Sequence, residues 1–105
     1  MEALFVYVTC KDHAEAMYIG ESVMHARLAA CANIVDGMTS LYWWDRQLES
    51  SKEAILIFKS RSGLLEELTE RIKELYSYTL PCVVALPIVG GNPDYLAWLL
   101  RETNG

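Results

Sequence analysis

Along this chain, short continuous apolar runs alternate with segments whose apolar residues recur every three or four positions, and the two periods separate strands from helices. Leu4 to Val8 is a run containing Phe, Val and Tyr, and it predicts a first strand. Asp12 then opens a helix, with Glu15 three residues on as a capping box and Ala16, Ile19, Val23 and Leu28 on one face. Gly20 inside this helix either weakens it or permits close approach to the sheet. Ala32 to Val35 and Met38 to Trp44 form a long second strand with a bulge expected at Asp36-Gly37. Asp45-Arg46 is the turn into a third strand centred on Ala54 to Lys59. Ser62 caps a second helix lined by Leu64, Leu68, Ile72 and Leu75. Pro81 ends a linker, and Cys82 to Ile88 is a fourth strand. Asn92-Pro93-Asp94 starts a last helix, whose apolar stripe is Tyr95, Leu96, Trp98 and Leu99.

This order predicts a single α+β domain over residues 1–105: a ferredoxin-like βαββαβ sandwich with an antiparallel sheet and an extra C-terminal helix. Pro87 cannot donate to a ladder, so the fourth strand belongs at an edge. A sheet with one wet face should alternate apolar with polar residues. Leu4 to Val8, Ala54 to Phe58 and Val83 to Leu86 are apolar at consecutive positions instead. Both faces should therefore be dry, and a short third helix can hardly cover the second one. The pattern implies self-association, which would bury several side chains worth roughly 1.5–3 kcal/mol each.

Composition sharpens this reading in two ways. Hydrophobic residues make up 52% of a chain of only 105, an excess that a second copy would absorb. The net charge is −5, and the basic residues are scattered singly, so no nucleic-acid footprint or polybasic membrane patch forms. The three cysteines, Cys10, Cys31 and Cys82, lie far apart with no C-x-x-C pair, which suits a reducing cytoplasm rather than a disulfide scaffold. No basic leader with a long apolar run opens the chain, and no run approaches the roughly 20 apolar residues of a membrane span. A soluble cytoplasmic protein is the expectation.

Six groups of residues carry a family resemblance: Arg27-Leu28-Ala29-Ala30-Cys31-Ala32-Asn33, Ser40-Leu41-Tyr42-Trp43-Trp44-Asp45, Phe58-Lys59-Ser60-Arg61, Tyr78-x-x-Pro81, Ala85-Leu86-Pro87-Ile88 and Gly91-Asn92-Pro93-Asp94-Tyr95-Leu96-x-Trp98. In this order they resemble the CutA family over nearly the whole chain. The resemblance implies a ferredoxin-like fold and a tight homotrimer in which long second and third strands extend sheets between subunits. It also implies a link to copper and other divalent cations, and kinship with PII-type signalling proteins. Two positions depart from the family pattern. Tyr76-Ser77-Tyr78 stands where the family commonly has His-Pro-Tyr, whose histidine is a proposed copper ligand, and Arg46 stands where glycine usually follows the acid of the turn.

Candidate chemistry follows from both readings. Cys31 could serve as a soft thiolate for copper, although one thiolate alone makes no site and a buried apolar cysteine is the plainer reading. Cys10 sits beside Lys11, which would lower its pKa if the thiol were exposed. His13 and His25 are twelve residues apart and do not chelate as an i, i+4 pair would; His13 is expected in solvent. Tyr42 and Trp44 share one side of a strand and Trp43 the other, a concentration of aromatics that suits an intersubunit anchor or a ligand pocket, with Asp45 its polar contributor. Lys59, the one charge closing an apolar strand, either pairs with a carboxylate, waits for an anion or simply reaches water along its stem, and the resemblance places it beside a cleft between subunits, near Cys31 and Tyr78. Cys31, Tyr42, Trp44, Asp45, Lys59 and Tyr78 are thus the candidate ligand cleft, and Tyr42, Trp43, Trp44 and Trp98 the candidate interface. No phosphate loop, G-x-S-x-G or H-E-x-x-H occurs. The expectation is a non-enzymatic trimer tied to divalent-metal tolerance; the alternatives are a PII-like module for a small anion or protein partner, and a small cysteine enzyme.

Overall fold

The computed structural model describes residues 2–104, so Met1 and Gly105 of the expected domain lie outside it. The elements run β1 (Ala3–Cys10), α1 (His13–His25), β2 (Cys31–Trp44), β3 (Gln47–Arg61), a 3-10 turn (Ser62–Leu64), α2 (Leu65–Leu75), β4 (Val83–Pro87) and α3 (Pro93–Glu102). The strands pair antiparallel in the order β2-β3-β1-β4. This is the expected α+β ferredoxin-like arrangement with a helix appended, and β4 lies at an edge, where Pro87 needs no ladder partner for a missing N–H.

Local chemistry explains most of the boundaries. Asp12 caps α1 by accepting from the Glu15 N–H at 2.8 Å. The reciprocal half of the box is displaced by one residue, because the Glu15 carboxylate accepts from the Lys11 N–H at 3.0 Å. Asn92 caps α3 through the Asp94 N–H, with Pro93 in the first turn. Ser62 does not cap α2: it opens the 3-10 turn, and the regular helix begins three residues later. The β2 register shifts between Val35 and Met38, and Gly37 takes φ +80° there, so the predicted bulge is real and uses the residue without a Cβ penalty.

One face of the sheet is closed. Leu4, Val6, Val8 and Cys10 of β1 and Ala54, Leu56 and Phe58 of β3 are buried against Ala16, Ile19 and Val23 of α1 and Leu68 and Ile72 of α2. Gly20 lies against this layer, where a Cβ would stand 3.5 Å from Leu56 Cδ1, an ordinary contact. Close approach is therefore not what requires glycine there. The second face is closed only at one end, where Arg61 holds α3 down: its guanidinium donates to the Leu100 carbonyl and, at 3.0 Å, to Thr103 Oγ1. These bonds occupy acceptors at the C-terminal end of the helix, where a cation is favoured.

The rest of that face is bare within one chain. Val84 and Leu86 of β4 are 53% and 54% exposed, although both belong to an apolar run. β1 pairs with β3 only over Ala54 to Arg61, so the β2–β3 ladder beyond Glu53 continues as a two-stranded arm. Leu41 and Trp43 on this arm, on the side that the helices cover further along β3, are 69% and 73% exposed because no helix reaches them. Within the single chain only one face is dry, as the shortage of helix cover in the sequence pattern predicts, because three short helices have area for little more than one face.

The arm closes through Asp45 and Arg46, which take φ 49° and 65°. Two consecutive left-handed residues match the twist of a tight hairpin, but each non-glycine residue there costs roughly 1–2 kcal/mol. Arg46→Gly should raise unfolding stability by about 1 kcal/mol in chemical denaturation; an unchanged or lowered stability would show that the turn is not strained.

Candidate functional site

The six candidate site residues fall into two groups within one chain. Cys31 and Lys59 face each other across β2 and β3, whereas Trp44 pairs with Gln47 at the far end of the same ladder. Cys31 and Trp44 are the two ends of a strand of 14 residues, and at about 3.3 Å per residue the separation nearly matches the 44 Å length of the molecule. No single small ligand spans both ends.

The Cys31 end is a small polar cluster under α3. Lys59 Nζ donates to Asn33 Oδ1 at 3.3 Å and lies 5.5 Å from the centre of the Tyr95 ring. The Tyr95 hydroxyl is 3.6 Å from Cys31 Sγ. Burial works against the Lys59 charge, but interaction with Tyr95 and Cys31 outweighs it and holds the ammonium above its ordinary pKa. Its neighbours are thus an amide, a phenol and a thiol. Trp98 stacks obliquely on Tyr95 at 5.5 Å, so it belongs to this end rather than to the hairpin tip.

The aromatic end forms a cleft of about 640 Å³ between the β2–β3 arm and the linker that leads to β4. Tyr42, Trp43, Trp44, Glu53, Tyr76 and Tyr78 all contribute to its lining, and Asp45 does not. Glu15 fixes the linker: its buried carboxylate accepts from the Ser77 N–H at 2.9 Å while also accepting from Lys11 at the start of α1. Tyr76 is fixed as well. Its hydroxyl donates to the Thr9 carbonyl and accepts from the Cys82 N–H. Burial, only partly offset by hydrogen bonding with the Thr9 hydroxyl and the Cys82 backbone, pushes Tyr76 up to about 12. Tyr78 meets the Tyr76 ring edge-on at 5.4 Å. Burial first, and then the charge and hydrogen bonding of Glu53, push Tyr78 up to about 12.

Glu53, Tyr76 and Tyr95 were not among the sequence candidates. Tyr76 stood out only as a departure from the family pattern, and Glu53 left the signal of an acid on the same strand face as the apolar Ile55 and Ile57. The remaining candidates resolve as follows. Cys10 is fully buried, and burial followed by the fields of Glu15, Glu53 and Asp12 pushes its thiol up to about 12. The activation that Lys11 would give an exposed thiol is therefore absent. His13 is exposed, but its Nδ1 lies 2.9 Å from Asp36 at the bulge rather than free in solvent.

A family model described as CutA1 divalent ion tolerance protein matches residues 4–102. The chain belongs to the CutA1 family. It is 43% identical to the chloroplastic CutA 1 of Oryza sativa subsp. japonica over 96% of its own length, and it spans 57% of that longer relative. The divalent cation tolerance protein of Thermus thermophilus superposes with a TM-score of 0.94 at 40% identity, covering 96% of this chain and 98% of that one. A structure from Archaeoglobus fulgidus, named a periplasmic divalent cation tolerance protein, gives 0.92 at 34% identity, covering 96% and 98%.

Tyr76 and Tyr78 make a pH prediction with a definite sign. Each phenol stays protonated in the folded state above the unfolded value of 10, so its contribution is complete below pH 10 and is lost as pH rises through about 12. Tyr76→Phe should cost about 1 kcal/mol at neutral pH through the lost hydrogen bond. Tyr76→Phe/Tyr78→Phe should also flatten the alkaline loss of stability. An unchanged profile from about pH 9 to about 12 by denaturant titration would refute the assignment.

Proposed function

We propose that this protein acts without catalysis, as a cytoplasmic homotrimer in divalent-metal tolerance, with copper the first ion to test. The observation that carries the assembly is exposed apolar surface on both sides of the sheet: Val84 and Leu86 on the face the helices leave open, and Leu41 and Trp43 on the other side of the arm, are all more than half exposed. Such a surface is a liability on a monomer, and a closed ring of copies removes it. The names of the family's solved members support the cation role. Three unpaired cysteines support a reducing compartment, and no helix among the described residues is long and apolar enough to cross a membrane.

The donor set of a single chain does not fit a copper centre. Cys31 has the Lys59 ammonium beside it, which repels a cation, and Tyr76 keeps its proton. Among the described residues no three His, Cys, Asp or Glu side chains converge. Metal handling in this reading therefore depends on groups shared between copies. Sedimentation of the wild type at micromolar concentration should give a trimer, and Leu86→Glu a smaller species. Isothermal titration with Cu(II) and Zn(II) should show heat of binding only in the assembled wild type. A stable lone protomer, or equal binding by Leu86→Glu monomers, would overturn this reading.

A second reading rests on Lys59, which has no carboxylate partner among the described residues and donates instead to a neutral amide. In that reading the Cys31 end takes a small anion, as in a PII-like module. Inorganic phosphate should then raise the melting temperature of the wild type and leave Lys59→Ala unmoved; equal shifts in both would dismiss it.

A further inference from the structure

The face that the helices leave open has an order of its own along β3. Successive residues on that side are Glu53, Ile55, Ile57 and Lys59, an apolar stripe with an acid at one end and a base at the other. Tyr7 and Val84 widen the stripe beside Ile57, and Phe5 and Leu86 widen it beside Lys59. Six residues of strand hold the two charges about 20 Å apart, so they do not meet within one chain.

Neither charge is answered by its own chain. Glu53 is 8% exposed, and the ion pairs among the described residues include neither it nor Lys59. Glu53 interacts with the Tyr78 phenol, and Lys59 donates to the Asn33 amide. A charge withdrawn from water without a counter-charge is unfavourable, and any apolar surface laid over the stripe would deepen that cost. The covering surface has to bring a base to Glu53 and an acid to Lys59. Another copy of the same stripe brings both.

Two copies joined face to face about a two-fold axis would answer the charges but leave Leu41 and Trp43, on the other side of the arm, bare. Head-to-tail contact around a closed ring joins unlike patches, so it pairs each acid with the next base and also has a use for the arm. We propose that Glu53 of each copy forms an ion pair with Lys59 of the next, closing the cleft between the β2–β3 arm and the β4 linker and setting the direction of the ring. Tyr42, Trp44 and Tyr78 line that cleft and surround the incoming ammonium. The inference deepens the assembly reading and rests on it; Lys59 finds its anion on a neighbouring chain rather than in solution.

Charge reversal, read by sedimentation at micromolar concentration, tests the pair. Glu53→Lys and Lys59→Glu should each weaken association at least about a hundredfold, because like charges then meet, and Glu53→Lys/Lys59→Glu should restore the wild-type species. Glu21→Lys, exposed on α1, should leave the assembly unchanged. Single variants that associate like the wild type, or a folded double variant no better than the singles, overturn the inference. A crystal structure of the wild type decides it whatever the folding of the variants. Lys59 Nζ within about 4 Å of a neighbour's Glu53 carboxylate supports the pair, and Glu53 facing any other group overturns it. A wild-type dimer joined by this pair would overturn the trimer and leave the pair standing, and a trimer without it does the reverse.

Discussion

The sheet of this protein has two apolar faces and helices enough for about one of them. Val6, Val8, Leu56 and Phe58 disappear beneath α1 and α2, and this closed layer is what makes the fold stable as a unit. Each buried residue alternates with a neighbour pointing the other way, and many of those neighbours are apolar too. The appended α3 reaches only the Arg61 end of the second face. Everything distinctive about the molecule follows from that shortage of cover: a bare patch on β4, a projecting arm and a cleft under the arm.

Strand length turns this shortage into two separate chemical neighbourhoods. β2 and β3 run for 14 and 15 residues, while β1 and β4 have only 8 and 5. The short strands support one half of the hairpin and leave the other half free. At the supported end a lysine sits among a thiol, a phenol and an amide; at the free end a desolvated carboxylate sits among aromatic rings. The ends carry opposite signs. Tyr76 belongs to the second neighbourhood structurally, yet it spends its hydroxyl on backbone groups and offers nothing to a metal.

Much of the architecture was legible because the signals were local. Two periods distinguished strands from helices, Asn92-Pro93-Asp94 and Asp12 marked helix starts, and Asp36-Gly37 marked the bulge. The one misplaced cap, Ser62, failed because a 3-10 turn intervened, and the i+3 bonds of such a turn leave no trace in apolar spacing. The family resemblance was likewise visible in runs of adjacent residues. The site was less legible. Separating Cys31 from Trp44 required knowing how far a ladder carries its two ends apart, and Glu53 stood out only as an acid in an apolar register.

By itself the sequence determined the element order, the edge position of β4, the bulge and the membership of the family, since each depends on neighbours a few positions apart. Only the tertiary structure decided which face the helices close, where Tyr76 sends its proton and which side chains share a cleft. Those outcomes rest on contacts between residues dozens of positions apart, such as Ser77 with Glu15 and Arg61 with Thr103. Periodicity records which way a side chain points, and only the folded chain brings it to a partner.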